Sequence, residues 1–209
     1  MIYNGIDTSV FVKRTNENKN KFIVSSHLRH SKGIQDLIKA VYILEDIIKN
    51  QIQIDIYGEG PYENELLEMT NEKELEGIIH FKGGSSQLNV LLSNYRYLLQ
   101  PTYMECFSLS ILESLAANVP VVTTTVGGNL EIIENNTNGF IFEPKDYIAL
   151  AEILKNIVLG NLNIDKDVSE QIEKEFNLEK MVEEHIGLLV SSDPPAPVLK
   201  RDKFPQQGS

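Results

Sequence analysis

The sequence predicts an α/β fold, a parallel sheet of about six strands with helices on both faces. Short apolar runs bounded by glycine or small polar residues alternate with helical periodicity over roughly 140 residues, from Lys21 to Leu159. The same strand, turn and helix unit recurs throughout, although no internal sequence repeat is visible. The 209 residues are 42% hydrophobic and 23% charged, enough for one substantial soluble domain and unlike a disordered or fibrous chain. Strands that alternate with helices pair in parallel through right-handed crossovers, and such sheets bind ligands at the carboxyl ends of their strands.

Taken in order, Lys21 to Ser26 holds the apolar run Phe-Ile-Val and reads as a buried strand. From Gly33 onward Ile34, Leu37, Ile38, Val41, Leu44, Ile47 and Ile48 recur at three- and four-residue steps, one apolar stripe over a long helix. Ile52, Ile54 and Ile56 alternate with polar residues as a second strand; Gly58-Glu59-Gly60-Pro61 turns the chain into an acidic helix from about Tyr62 to Met69. The pattern continues with strands at Ile78 to Lys82, Tyr97 to Pro101, Pro120 to Thr124 and Phe140 to Phe142. Their helices lie near Gln87 to Asn94, Ser108 to Asn118, Asn129 to Glu134 and Asp146 to Leu159. Two further helices, Val168 to Glu175 and Leu178 to Val190, are expected to wrap around the sheet. We divide the chain into a linker region at 1–20, a main α/β domain at 21–190 and a disordered or vector-derived tail at 191–209, where Ser-Ser-Asp-Pro-Pro-Ala-Pro begins.

Thirty acidic against 19 basic residues leave a net charge of −11, which repels nucleic acid and anionic lipid surfaces. An anionic ligand must then be captured locally, by helix N-termini and a few placed cations. A single cysteine, Cys106, excludes an internal disulfide framework and a cysteine-rich zinc site; we read it as a packed thiol. No apolar run approaches the ~18 residues of a transmembrane segment and the first residues lack a signal core, so a cytoplasmic location, with a peripheral membrane association conceivable for a longer protein, is the expectation.

The stretch from Pro101 to Gly128 is the most informative, with a strand end, a loop, a helix and a double-glycine turn in close succession. If the helix begins near Ser108, Glu105 lies on the preceding loop and Glu113 projects from the second turn, roughly 7 Å along the axis at ~1.5 Å per residue. The amides of Phe107, Ser108 and Leu109 are left unpaired at the helix start, where they and the dipole suit a diphosphate without a metal. A carboxylate further along is placed for the two vicinal hydroxyls of a ribose. The ordinary alternative for Glu113 is a solvated position that favours the dipole; its setting in Ile-Leu-Glu-Ser-Leu-Ala-Ala argues instead for burial, and a buried carboxylate needs a partner.

Glu105-Cys-Phe-Ser-Leu-Ser-Ile-Leu-Glu113, followed by Ser-Leu-Ala-Ala-Asn-Val-Pro-Val-Val and Val-Gly-Gly-Asn-Leu-Glu131, resembles the retaining glycosyltransferases of the two-domain GT-B fold, family 4 (group 1) in particular. Asn4-Gly5-Ile6-Asp7 with Phe11, Lys32-Gly33, Gly58-Glu59-Gly60-Pro61, Phe81-Lys82-Gly83 and Asn138-Gly139-Phe140 also fall in the family's order, so the resemblance runs from Tyr3 to about Leu189. It implies the Rossmann-like half of a GT-B fold, the C-terminal domain that binds a nucleoside-diphosphate sugar. Glu113 would contact the ribose and Glu105 the sugar hydroxyls; Phe107, Ser108 and Leu109 would supply amides, and Lys32 would neutralise the diphosphate leaving group in the place of a metal ion. Ser85 would lie beside the base. No metal or other cofactor is expected.

The chain departs from the family in several places. His27 stands where an arginine is usual, five residues before the lysine, and fits a structural role as well as a ligand role; Arg29 is the alternative cation for the phosphates. Ser108 and Asn118 stand where glycines are common, and His30, His80 and His185 show no metal-ligand spacing. The acceptor-binding domain or an equivalent partner chain is expected to be missing. The activity implied is sugar transfer with retention, assisted by the leaving phosphate, often for cell-envelope, capsule or other glycan synthesis. A noncatalytic nucleotide-sugar subunit that relies on a separate acceptor-binding chain is the second reading, and a flavodoxin-like regulatory domain the third.

Overall fold

The computed structural model describes residues 5–15 and 20–191, without the side chains of 184 and 187–191. Ile2 and Tyr3, and the expected tail beyond Ser191, lie outside the described residues. Strands β1 (Lys21–Ser25), β2 (Gln53–Tyr57), β3 (Ile79–Gly83), β4 (Tyr97–Gln100), β5 (Val121–Thr124) and β6 (Gly139–Phe142) form one sheet in the order β3-β2-β1-β4-β5-β6. Every neighbouring pair is parallel; Phe22 lies opposite both Ile54 and Tyr97, and Val122 lies opposite Leu99 and Phe140. The direction of strand addition reverses between β1 and β4, which opens a crevice at their carboxyl ends.

The helices are α1 (Ile34–Ile43), α2 (Asp46–Lys49), α3 (Glu63–Glu72), α4 (Leu88–Leu91), α5 (Leu109–Ala116), α6 (Asn129–Ile132), α7 (Tyr147–Val158), α8 (Ser169–Glu175) and α9 (Leu178–Ser191). Contacts of α1 with α3 and α7 form one layer, and those of α5 with α6 and α8 the other. β4 and β5 are buried at every position, as befits central strands covered on both faces. Most other expected elements fall within a residue or two of their sequence positions. The exceptions are α3, which runs on to Glu72, and the region of α4, one helical turn followed by a 3-10 turn at Leu92–Asn94.

The long first helix is a correction. Leu44 and Glu45 are extended, with ψ of 149° and 144°, so α1 stops and α2 restarts on Glu45, whose carbonyl takes the amides of Ile48 and Lys49. Two extended residues shift the helical phase, which buries Leu44 and Ile48 but turns Ile47 outward, 68% exposed.

The described part of the N-terminal stretch is tied to the body of the domain. Ile6 donates its amide to the Phe176 carbonyl at 2.9 Å and accepts from the Leu178 amide at 3.0 Å, bridging the junction of α8 and α9. Arg14 is buried and donates to the carbonyls of Asn118, Arg96 and Ile164. Burial pulls the pKa of its guanidinium below the usual value.

Candidate functional site

The turn after β1 and the loop after β4 meet at the crevice because of Gly33. Its φ is +70°, and a Cβ there would lie 1.8 Å from the Pro101 carbonyl oxygen, so no larger residue lets the two segments approach. The Ser31 carbonyl accepts from the Tyr103 amide at 2.8 Å and from Thr102 Oγ1 at 3.2 Å. Farther out, the Tyr103 hydroxyl donates to Asp36 on α1 and accepts from Gln35 Nε2 at 2.8 Å. Loss of solvent, followed by the hydrogen bond to Asp36, raises the Tyr103 pKa well above that of a free phenol.

These contacts fasten the loops on either side of two charged residues. Lys32 Nζ donates to Glu105 Oε2 at 2.8 Å, and the two side chains keep only 23% and 16% of their surface in solvent. On the other side of the loop, Gly127 has φ +54° and its absent Cβ would sit 1.6 Å from the Glu105 carbonyl oxygen; the Gly128 amide then donates to the Cys106 carbonyl at 3.1 Å. The double-glycine turn thus packs directly against the backbone that carries Glu105. The same turn corrects the reading of Cys106, whose side chain is exposed while its carbonyl points into the packing.

α5 begins one residue later than expected, with Ser108 as its N-cap. Ser108 is buried, its Oγ accepting from the Ile111 amide at 3.4 Å and from Gln100 Nε2 at 2.6 Å. The side chain is committed to the cap, so only the backbone of Ser108 is presented to the crevice. Among the described residues, the amides of Ser108 and Leu109 have no protein acceptor. The Phe107 ring packs beside Phe176, with centroids 6.0 Å apart. Glu113, one turn along from Leu109, is half-buried; its carbonyl accepts from the Ala117 amide at 3.1 Å, and its carboxylate has no hydrogen bond or ion pair among the described residues. Burial alone raises its pKa.

His27 and Ser85 lie together in a separate cavity of about 460 Å³ at the carboxyl ends of β1, β2 and β3, with Ser26, Tyr57, Glu59 and Leu88. Ser26 Oγ is buried there without a partner, and Glu59 accepts from the Gly84 amide at 3.2 Å. Arg29 is exposed at the cap of the 3-10 turn His30–Lys32 and makes no ion pair among the described residues. His30 packs edge-on to Tyr62 and Tyr103, His80 bonds Asp55, and His185 bonds the Met181 carbonyl. Among the described residues no group of three or more His, Cys, Asp or Glu side chains could hold a metal ion.

Sequence reasoning missed the supports. Tyr103, Asp36 and Gln35 set the loop, and Gln100 sets the cap. Gln100 was visible as a polar residue ending an apolar central strand, a position that demands a partner.

The sheet order and the α5 entry are joined by a match in sequence: the family model described as Glycosyl transferases group 1 covers residues 6–175. The chain belongs to the group 1 glycosyl transferases. Among its group 1 relatives, N-acetyl-alpha-D-glucosaminyl L-malate synthase of Bacillus anthracis is 26% identical over 198 residues, 88% of this chain and 51% of its own length. Glycogen synthase of Mycobacterium tuberculosis is 26% identical over 163 residues, 76% of this chain and 39% of its own length. The Anabaena protein HepE, solved in complex with UDP and glucose, superposes with a TM-score of 0.81 at 22% identity, over 91% of this chain and 56% of that one. This group 1 chain therefore spans about half the length or less of such relatives and shares its fold with part of a larger GT-B structure.

Proposed function

We propose that this group 1 chain is the C-terminal, donor-binding domain of a family 4 retaining glycosyltransferase, and that its ligand is a nucleoside-diphosphate sugar. The observation that carries the reading is the crevice itself. Lys32 and Glu105, far apart in sequence, meet at 2.8 Å where the strand order reverses, in the neighbourhood of a helix N-terminus with unpaired amides and a half-buried, unpartnered Glu113. Similarity to an N-acetyl-alpha-D-glucosaminyl L-malate synthase and to a structure solved with UDP and glucose supports the same ligand class.

In this reading Lys32 and the amides of Phe107, Ser108 and Leu109 hold the diphosphate, and Glu113 accepts both ribose hydroxyls. Glu105 accepts from hydroxyls of the transferred sugar. The cavity of His27 and Ser85 receives the base, and Arg29 is within the same turn as Lys32 for a second phosphate contact. Transfer breaks the bond between the anomeric carbon and the phosphate oxygen. The acceptor oxygen forms its bond on the same face while its proton passes to the departing phosphate. Lys32 offsets the charge that develops on that phosphate, the role a metal ion plays elsewhere. The acceptor is held by another domain or chain, and the setting is cytoplasmic glycan synthesis for the cell envelope or capsule. Calorimetric titration with UDP, GDP and ADP tests the reading: one of them binds, and failure of all three would remove it.

A further inference from the structure

Lys32 and Glu105 have been assigned to different parts of one ligand, yet in the structure they hold each other. The contact is built rather than incidental. Gly33 admits the close approach, Ser31 receives two bonds from Thr102 and Tyr103, and Tyr103 is anchored to Asp36 and Gln35. Both side chains are largely out of solvent, so the pair is screened less than an ordinary surface bridge.

An ammonium has three donors and could in principle bond a carboxylate and a phosphate together. Two anions on one nitrogen would then lie within about 6 Å of each other in a partly desolvated crevice, where their repulsion is strong. No other cation is ion-paired with Glu105 among the described residues.

We propose that the Lys32–Glu105 ion pair is an internal competitor that couples diphosphate capture to sugar recognition. An entering phosphate takes Lys32 from Glu105, and the released carboxylate accepts hydrogen bonds from the sugar. Sugar hydroxyls alone carry no charge that could displace the lysine, so a free sugar is not recognised. A plain nucleoside diphosphate breaks the pair without compensating Glu105. The inference rests on the donor-binding reading and adds an order of events to it.

The test is calorimetric titration of the full chain with UDP, GDP and ADP, and with the glucose-bearing form of whichever diphosphate binds. Glu105→Gln is expected to bind the plain diphosphate about two- to fivefold more tightly, since the competitor is gone. In a Lys32→Met background the same change is expected to give no gain, which separates competition for the lysine from simple removal of a negative charge. Glu105→Gln should also abolish the extra affinity that the sugar confers on the parent. Thermal melts establish that each variant folds. Glu105→Asp, which keeps the charge but withdraws it by one methylene, must shift plain diphosphate binding in the same direction if the glutamine variant does not fold. Unchanged or weaker diphosphate binding by the Glu105 variants overturns the proposal, as does an equal gain with Lys32→Met or a sugar increment that survives Glu105→Gln. A parent chain that binds none of the three diphosphates overturns the donor reading and this inference with it.

Discussion

Gln100 Nε2 donates to Ser108 Oγ at 2.6 Å, which ties the last residue of β4 to the N-cap of α5. Thr123 Oγ1 donates in turn to the Gln100 carbonyl at 3.1 Å, and Asn129 Nδ2 donates to Thr123 Oγ1 at 3.0 Å. A buried polar chain thus runs beneath the helix entry and fixes where its amides point. Ser108→Ala removes the cap and leaves the Gln100 amide short of a partner, so it should cost about 1 to 3 kcal/mol in a urea titration. If the helix entry is the diphosphate site, nucleotide affinity falls as well. A loss of stability below a few tenths of a kcal/mol would show that the cap carries little.

Glu113 should behave in opposite senses with and without nucleotide. Burial raises its pKa above the ordinary 4.5, so the folded chain holds the Glu113 proton more readily than the unfolded chain does. Its ionised form therefore opposes folding once the pH rises above 4.5, and the penalty disappears in more acidic solution. Glu113→Gln is expected to melt at or above the parent at neutral pH, with the advantage fading as the pH falls. The same variant should weaken nucleotide binding by about 1.5 to 3 kcal/mol, and deoxyribonucleotides should bind the parent poorly. Equal affinity of the parent for ribo and deoxyribo forms would remove Glu113 from the ribose.

A diphosphate held by Lys32 and backbone amides, as proposed, would need no divalent ion. Titration in EDTA should therefore give nearly the parent affinity, and added magnesium or manganese should change it little. Binding that vanishes with the chelator and returns with either ion would point to a metal bridge instead.

The fold was legible because each unit carries two independent signals, an apolar run and a breaker. Gly58 and Gly60, Gly127 and Gly128 punctuate the chain where strands give way to helices. The split between α1 and α2 was not, since Leu44 and Ile48 keep the helical spacing even though Leu44 and Glu45 are themselves extended. At the site, Glu105, Glu113 and Lys32 stand out as charges beside turns or in apolar surroundings. Their partners do not. The approach of Lys32 to Glu105 depends on the absence of a Cβ at Gly33 and on Tyr103 reaching Asp36, contacts between segments about 70 residues apart that no local pattern encodes. The exposed Cys106 was misread for a related reason: a small apolar thiol between charged and aromatic neighbours is usually packed, and only the tertiary position of the Gly127 turn decides which way it faces.

In the donor-binding reading, this sheet supplies one wall of a cleft. The loops after β1 and β4 place Lys32 and Glu105 at an open edge, where Met104 is 72% and Leu109 48% exposed. Sugar transfer needs the acceptor oxygen in line with the anomeric carbon and water kept away, and positioning of that kind is worth several kcal/mol of barrier, up to about 7 to 11 in well-oriented systems. Residues 1–209 alone should bind a nucleoside diphosphate yet transfer sugar to an added acceptor at a rate close to background. Addition of an acceptor-binding domain, in trans or by fusion ahead of Met1, should raise transfer by orders of magnitude with little change in diphosphate affinity, because closure acts on orientation and solvent rather than on Lys32 and the α5 amides. Product formation by the purified chain alone, measured by mass spectrometry in a preparation free of other transferases, would show that the second wall is not needed.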